Sequence, residues 1–517
     1  MAISSLLQQV STRQGLHRYL LAAFSGWLVP LSFAPFQFWY ITPLAICILM
    51  FAIQGRNISQ ERNHSGFVVG WFFGLGLFGN GASWVYISIH DFGFTGMPLA
   101  LLLTLAFVMG LSLLPAIQVA IFQRLFNHIS PVWCFPALWV VFEWLRSWLL
   151  TGFPWLYLGN SVVDSPLSSW LPTGGVYLAS FILVMAGVML NRFIQQRLKL
   201  RTLVAFIVVV FAGAHLLNSV QWTQTSRKQP LQVALVQGNI DQNQKWQPQY
   251  RDEFLQLYLN LSQDIKNADL ILWPETAVPL LVSQSRAYLN RVIDDLPENT
   301  ALITGLPERA TPASIKPAQY YNSVLVWGDG DGIYRKQKLV PFGEYVPLEA
   351  MLRGAIDFFN LPMSSFVRGD DNQPSLQAKG LNIAPFICYE VVYPEFVRQQ
   401  AKESDLMITI SNDSWFGRSV GPLQHLQMAQ VRAAENGRYM LRGTNNGVTA
   451  IIDPQGRIKA TAPQFEQAIV RGEVWSMNGH TLYAQYGSLP LLVFCGLILL
   501  IQLIQNHRVK RSRIFSL

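Results

Sequence analysis

Ile383-Ala-Pro-Phe-Ile-Cys388-Tyr389-Glu390 runs as five apolar residues straight into a thiol, a phenol and an acid. A run of strand length that ends in a reactive group is how α/β domains deliver chemistry to the carboxyl ends of their strands. Two other stretches share the pattern. Leu270-Ile-Leu-Trp-Pro-Glu275 brings a carboxylate out of an apolar run, and Ile408-Thr-Ile-Ser-Asn412-Asp413-Ser-Trp-Phe-Gly417 brings out an amide and an acid. Three strands ending in polar groups predict one shared site.

The surrounding residues, 222–478, alternate in the same way. Strands are predicted at Leu231–Val236, Leu270–Trp273, Ala301–Gly305, Ser323–Trp327, Ile383–Ile387, Leu406–Ser411 and Val448–Ile452. Helical patterns lie between them at Gln249–Asn267, Arg286–Leu296, Val391–Ser404 and Leu423–Gly437. The alternation predicts an α/β domain with central sheets, large enough to bury its own core.

Outside this region the chain changes character. Of 517 residues, 51% are hydrophobic and 13% charged, against the ~25% charged usual for soluble domains; mean hydropathy is +0.26. That excludes a disordered chain, and four cysteines are too few for a disulfide scaffold. About eight apolar stretches reach the ~20 residues needed to cross a bilayer. They fall at 18–34, 36–54, 66–88, 97–123, 131–149, 168–190, 202–219 and 488–505, and Pro30 and Pro35 place a tight turn between the first two. The expected organisation is therefore residues 1–221 as transmembrane helices, 222–478 as a separate α/β domain, and 479–517 as a last membrane helix with a basic tail.

The net charge of +8 could suggest nucleic acid, but the basic residues sit in short clusters beside the apolar stretches. These are Arg13 and Arg18; Arg56 and Arg62; Arg192, Arg197, Lys199 and Arg201; then Arg508, Lys510, Arg511 and Arg513. With the N-terminus inside, all of them fall on the cytoplasmic side, which makes 222–478 extracytoplasmic. No small-residue cleavage motif follows the first apolar stretch, so it is expected to be retained. Gly70-Trp-Phe-Phe-Gly74 has the spacing that lets helix backbones approach. Glu143 and Arg146 can share a helix face, either as a functional pair or as a staple of the bundle.

Cys47, Cys134 and Cys495 lie in apolar stretches, where cysteine behaves as a small hydrophobe. Cys388 is the one cysteine of the α/β domain, has no disulfide partner there, and precedes a predicted helix whose N-terminus would favour the thiolate. A thiol nucleophile needs a base and an oxyanion stabiliser. His425, inside the helical run Leu423-Gln-His-Leu-Gln-Met-Ala-Gln, reads first as a core or surface histidine; Glu275, at a strand end, is better placed as base. The cation is Lys336 or Lys338, both in Tyr334-Arg-Lys-Gln-Lys-Leu-Val-Pro-Phe-Gly-Glu344, and composition does not choose between them.

The ordered motifs Trp-Pro-Glu275, Tyr-x-Lys336-x-x-Leu-Val-Pro-Phe-Gly-Glu344 and Cys388-Tyr-Glu390 resemble the nitrilase superfamily with its Glu-Lys-Cys triad. Together with the membrane segments, the whole chain resembles the apolipoprotein N-acyltransferases of Gram-negative bacteria. The resemblance implies a multi-pass inner-membrane helical bundle carrying a periplasmic α-β-β-α sandwich. It implies that Glu275 is the base, Lys336 the oxyanion cation and Cys388 the nucleophile, with Glu344, Tyr389 and Glu390 as supporting residues and Trp246 on an arm at the entrance. A phospholipid would donate the acyl group and a diacylglyceryl lipoprotein would accept it, with no metal or cofactor and no nucleic acid partner. Two other readings compete: a membrane-tethered amidase that hydrolyses the acyl-enzyme, and a sensor or transporter whose outer domain only binds ligand.

Overall fold

The computed structural model describes residues 16–54, 65–126, 130–312, 314, 318–341, 343–345 and 366–514, with side chains up to 506. Arg13, Arg56 and Arg62, and the side chains of Arg508, Lys510, Arg511 and Arg513, lie outside the described residues. The chain forms two compact units. One holds the helices up to Val220, apart from Ile87–Gly96, together with the chain from Ser488; the other holds Ile87–Gly96 and Gln221–Gly487.

In the helical unit, α1 (16–28), α2 (Ile41–Gln54), α3 (Ser65–Gly81), α4 (Met97–Leu111), α5 (Leu113–Phe126), α6 (Pro131–Arg146), α7 (Leu171–Ile194), α8 (Leu200–Asn218) and the C-terminal helix Leu489–Ile514 occupy the apolar stretches. Among the described residues, four spans are long and apolar enough to cross a membrane: Met97–Phe126, Pro166–Ile194, Leu200–Asn218 and Leu489–Asn506. A fifth is added if the bent pair Gly66–Gly81 and Val85–Phe92 is one span. Large apolar side chains face outward, among them Leu102, Leu105, Val208, Val209, Leu497 and Ile501. Such a surface suits hydrocarbon and would aggregate in water.

The glycine spacing in α3 acts as its sequence suggests. A Cβ on Gly70 would lie 2.3 Å from the Pro115 carbonyl oxygen, and one on Gly74 2.7 Å from Ser112 Cα, so α3 and α5 meet backbone to backbone. Gly70→Val is therefore expected to cost about 1–3 kcal/mol of stability through overpacking, seen as a lower melting temperature in detergent; an unchanged temperature would refute the close contact. Glu143 and Arg146 are both buried, but no ion pair joins them among the described residues. The Glu143 carboxylate accepts from Trp139 Nε1 at 3.1 Å and from Leu158 N at 2.9 Å. The Arg146 guanidinium lies over the Phe78 and Tyr157 rings, 5.3 and 4.9 Å from their centroids. They staple α6 to the loop at 156–158.

One predicted segment ends early. The stretch 66–88 is helical only to Gly81 before it breaks, and Ile87–Gly96 packs with the α/β unit, where Ser88 Oγ donates to the Trp415 carbonyl at 2.7 Å. Gly79, Gly81 and Ser83 are weak helix formers, so little opposes a break there.

Among the described residues, the α/β unit has a six-stranded sheet, a seven-stranded sheet and a short antiparallel pair, Gln224–Thr225 with Met477–Asn478. The strands of the two large sheets are β1 (Leu231–Gln237), β2 (Leu270–Leu272), β3 (Ala301–Arg309), β4 (Tyr320–Gly328), β5 (Gly330–Asp331), β6 (Ile333–Arg335), β7 (Leu376–Ala378), β8 (Leu381–Ile387), β9 (Leu406–Ser411), β10 (Met440–Thr444), β11 (Ala450–Ile452), β12 (Ile458–Thr461) and β13 (Ala468–Val474). The orders are β13-β1-β2-β3-β4-β6 and β12-β11-β10-β9-β8-β7-β5. Strands β1, β2 and β3 run parallel, as do β8, β9 and β10, which aligns the carboxyl ends of the strands within each group.

Alternation along each strand separates two cores. Leu231, Val233, Leu235, Leu270, Leu272 and Ile303 of one sheet pack with Ile383, Ile387, Leu406, Ile408 and Ile410 of the other. Their neighbours Ala234, Val236, Ile271 and Leu302 face the other way, toward Phe254, Tyr258 and Leu259 of α9 (Arg251–Gln263) and Leu289 and Val292 of α10 (Val282–Asp294). On the other sheet Phe386 meets Phe396 of α11 (Pro394–Ala401) edge-on at 6.2 Å, and α12 (Gly421–Asn436) is buried along nearly its whole length. The layers are thus α-β-β-α. Each fully buried Leu or Ile contributes roughly 1.5–3 kcal/mol, the main force joining the two sheets.

Candidate active site

Four strand ends meet between the two sheets. Glu275 follows β2, Lys336 follows β6, Cys388 follows β8, and Asn412 follows β9. Glu275 turns into the site because the chain reverses at Thr276, whose φ is +47°, against Gly305 of β3. A Cβ on Gly305 would lie 2.6 Å from Thr276 N and 2.9 Å from Glu275 Cα, so only glycine permits this approach.

Lys336 is 1% exposed and bridges two carboxylates. Its Nζ donates to Glu344 at 2.9 Å and stands 3.8 Å from Glu275 Oε1. Asn322 of β4 donates its side-chain N–H groups to both acids, at 2.7 Å to Glu275 and 3.0 Å to Glu344. The Asn412 backbone N–H adds a bond of 2.8 Å to Glu275 Oε2, and Lys245 Nζ donates to the Glu275 carbonyl at 3.1 Å. Glu344 also accepts from Val340 N at 2.9 Å. A buried cation between two carboxylates that each hold further donors is a satisfied arrangement, which is what makes its burial tolerable.

Cys388 sits at φ +53°, in the left-handed region, directly after β8. It is partly exposed, whereas Cys47, Cys134 and Cys495 are buried. The thiol is pushed up to about 12, by burial first and by the Glu275 carboxylate second, while Lys336 and a Ser411 hydrogen bond pull the other way. Burial likewise raises the Glu275 carboxyl, against the opposing Lys336 cation. Burial alone would lower the Lys336 ammonium, but Glu344 and Glu275 outweigh it and keep it charged. A protonated thiol beside a base whose affinity for protons is raised, with a fixed cation at hand, is the arrangement that can ionise a nucleophile only as it attacks. Among the described residues, no group of three His, Cys, Asp or Glu side chains is placed to hold a metal.

Lys338 does not join this group: its ammonium lies 5.7 Å from the centroids of the Tyr393 and Phe396 rings. Glu390 is fully buried and holds the lysine loop, accepting from Gln337 N at 2.6 Å, Lys338 N at 3.0 Å and Tyr334 OH at 2.9 Å. It also accepts from Ile387 N at 2.8 Å, so one carboxylate ties the segment bearing Lys336 to the one bearing Cys388. Burial still raises the Glu390 carboxyl to about 7 against these donors. Tyr389 is buried edge-on against Tyr393, at 5.3 Å. Trp246 is 37% exposed in the turn after β1, one residue from buried Lys245.

Residues that sequence reasoning did not single out include Asn322, Lys245 and Ser411. Asn322, in Tyr320-Tyr-Asn-Ser323, and Lys245 carried no local signal beyond a polar residue amid apolar ones. His425, weighed as a base, points its Nε2 at the Cys388 carbonyl instead, at 3.1 Å.

Comparison with known proteins follows the same division. Residues 25–189 match the model of the apolipoprotein N-acyltransferase N-terminal domain, and residues 232–476 match that of carbon-nitrogen hydrolase. The apolipoprotein N-acyltransferase of Pseudomonas aeruginosa is 45% identical over 516 residues, covering 98% of this chain and 99% of that one. The chain belongs to the apolipoprotein N-acyltransferase family. Members from Pseudomonas putida and Vibrio vulnificus are 47% and 40% identical, each covering 94% of this chain and 97% and 96% of theirs. Among solved structures, Saccharomyces cerevisiae Nit3 of the nitrilase superfamily is 20% identical with a TM-score of 0.37, covering 49% of this chain and 93% of that one. In an apolipoprotein N-acyltransferase, the motif positions Glu275, Lys336 and Cys388 fall within the carbon-nitrogen hydrolase part.

Proposed function

We propose that this chain moves an acyl group from a glycerophospholipid to Cys388 and then to the N-terminal amine of a lipoprotein's diacylglyceryl-cysteine. The observation that carries the reading is the buried Glu275–Lys336–Glu344 group in electrostatic contact with the Cys388 thiol. Family membership supports lipoprotein N-acylation, and the apolar outward faces support a membrane location.

In the first half-reaction Glu275 takes the thiol proton as sulfur attacks the ester carbonyl, and Lys336 stabilises the oxyanion. The ester C–O bond breaks, the proton passes to the leaving alkoxide, and a lysophospholipid departs. In the second, the neutral α-amine attacks the thioester, Glu275 accepts its proton, and the C–S bond breaks as that proton passes to sulfur, leaving an amide, the free thiol and the ionised base. An amide is more stable than a thioester, so the transfer is downhill. Water is the competing acceptor, which favours a site under apolar cover.

The positive-inside bias supports an inner-membrane protein with 222–478 in the periplasm, held by membrane helices on both sides in the chain. Trp246, exposed beside the site loop, would act at the entrance, where its replacement slows exchange of lipids more than acylation. Purified protein supplied with phospholipid and a diacylglyceryl lipopeptide should yield N-acylated peptide; free fatty acid alone would favour the amidase reading. One thiol holds one acyl group at a time, so lysophospholipid should appear before any acceptor is added, in an amount comparable to enzyme. Double-reciprocal plots at several acceptor concentrations should be parallel. Intersecting plots would mean that both substrates bind together.

A further inference from the structure

A second buried polar group touches Cys388 through its main chain. His425 of α12 is fully buried, and its Nε2 lies 3.1 Å from the Cys388 carbonyl oxygen. A carbonyl only accepts, so Nε2 carries the ring proton and is spent on this bond, which removes it as a base for the thiol. On the far side of the ring, Nδ1 lies 3.1 Å from Asp413 Oδ1 and 3.1 Å from Arg442 Nη2. Burial and the Arg442 charge hold the imidazole below its ordinary range. The neutral ring then accepts at Nδ1 from Arg442, whose guanidinium also donates to Asp413 Oδ2 at 2.6 Å. Ser411 Oγ donates to Asp413 Oδ1 at 2.5 Å, and the Phe416 ring stands edge-on to the imidazole at 5.9 Å. The ring has one orientation available.

What this orientation holds is a strained residue. A side chain at the left-handed φ of Cys388 costs about 1–2 kcal/mol, and that backbone sets how the thiol leaves the end of β8, within electrostatic reach of Glu275 and Lys336. We propose that His425 is a positioning residue: aimed by Arg442, which Asp413 holds in place, its Nε2–H pins the Cys388 carbonyl and so keeps the thiol presented to Glu275. Released, the 388–389 peptide plane turns and the thiol leaves its attack geometry. The proposal rests on Cys388 being the acyl carrier.

The test compares two uncharged variants of similar polarity. His425→Gln places an amide N–H near the Nε2 position, and His425→Asn stops one bond short, near Nδ1. Full-length protein in detergent is assayed for the single-turnover rate of Cys388 acylation by phospholipid, for the phospholipid KM, for Cys388 alkylation by iodoacetamide from about pH 6 to 10, and for melting temperature. Expected is acylation by the Gln variant near that of the parent, and by the Asn variant slower by ~10- to 10²-fold at similar KM, the scale of an ångström-sized misplacement. Alkylation should slow in the Asn variant alone. Equal acylation by the two variants, or a loss confined to KM, or losses that follow melting temperature in both, would overturn the proposal. If the parent itself forms no acyl adduct, the acyl-carrier reading fails instead, and the alkylation ratio of the two variants still decides whether His425 positions the thiol.

Discussion

Cys388→Ser is expected to abolish acyl transfer, with no acyl adduct in intact-mass spectra and a loss of at least ~10³-fold in N-acylated lipopeptide. The thiol resists ionisation in its buried setting, being pushed up to about 12. A serine hydroxyl there starts several units higher, and Glu275 is a carboxylate, a base too weak to compensate. Sulfur also attacks at a fraction of the anionic character that oxygen requires. The fold should survive, because the substitution exchanges one atom of similar size, and an unchanged melting temperature would separate lost chemistry from lost structure. A hydroxylamine-sensitive acyl group mapped to any other residue would sink the assignment.

Glu275→Gln and Lys336→Met are each expected to slow Cys388 acylation by at least ~10²-fold. Glutamine preserves the shape that Asn322 and the Asn412 N–H hold but cannot take the proton. Methionine preserves the stem of Lys336 but leaves Glu275 and Glu344 facing each other without a cation, so this variant should also lose stability. The parent rate should rise with pH as Glu275 loses its proton, at a pH above the ordinary carboxylate range because burial raises that group. In Glu275→Gln that rise should vanish, leaving only the slow increase toward ionisation of the thiol itself. A glutamine variant that kept both the parent rate and the parent pH profile would show that another group takes the proton.

Some of this protein was legible from the order of its residues. Apolar runs of bilayer length, with basic clusters beside them, announce membrane helices because hydrocarbon tolerates no unpaired backbone and a helix pairs its own within one run. Leu270–Leu272, Leu381–Ile387 and Leu406–Ser411 announce strands, each leading into polar or reactive residues that an apolar core alone would not call for. Other elements were silent. Met440–Thr444 is a central strand, yet Arg442 and Gly443 interrupt its apolar pattern, and Arg442 is tolerated only because Asp413 meets it in the folded state. Ala468–Val474, with Arg471 and Glu473 on its outward face, was likewise missed as the partner of β1.

At the site, sequence alone pointed to the residues proposed here to carry chemistry, because a lone thiol, an acid after an apolar strand and a lysine loop are visible in the chain. It could not choose Lys336 over Lys338, two residues apart in one loop. Tertiary structure chose: one ammonium is drawn between Glu275 and Glu344, and the other lies over the Tyr393 and Phe396 rings. The physical reason is that a charge is placed by its partners, and these partners come from strands that are far apart in sequence and adjacent only once the two sheets have packed.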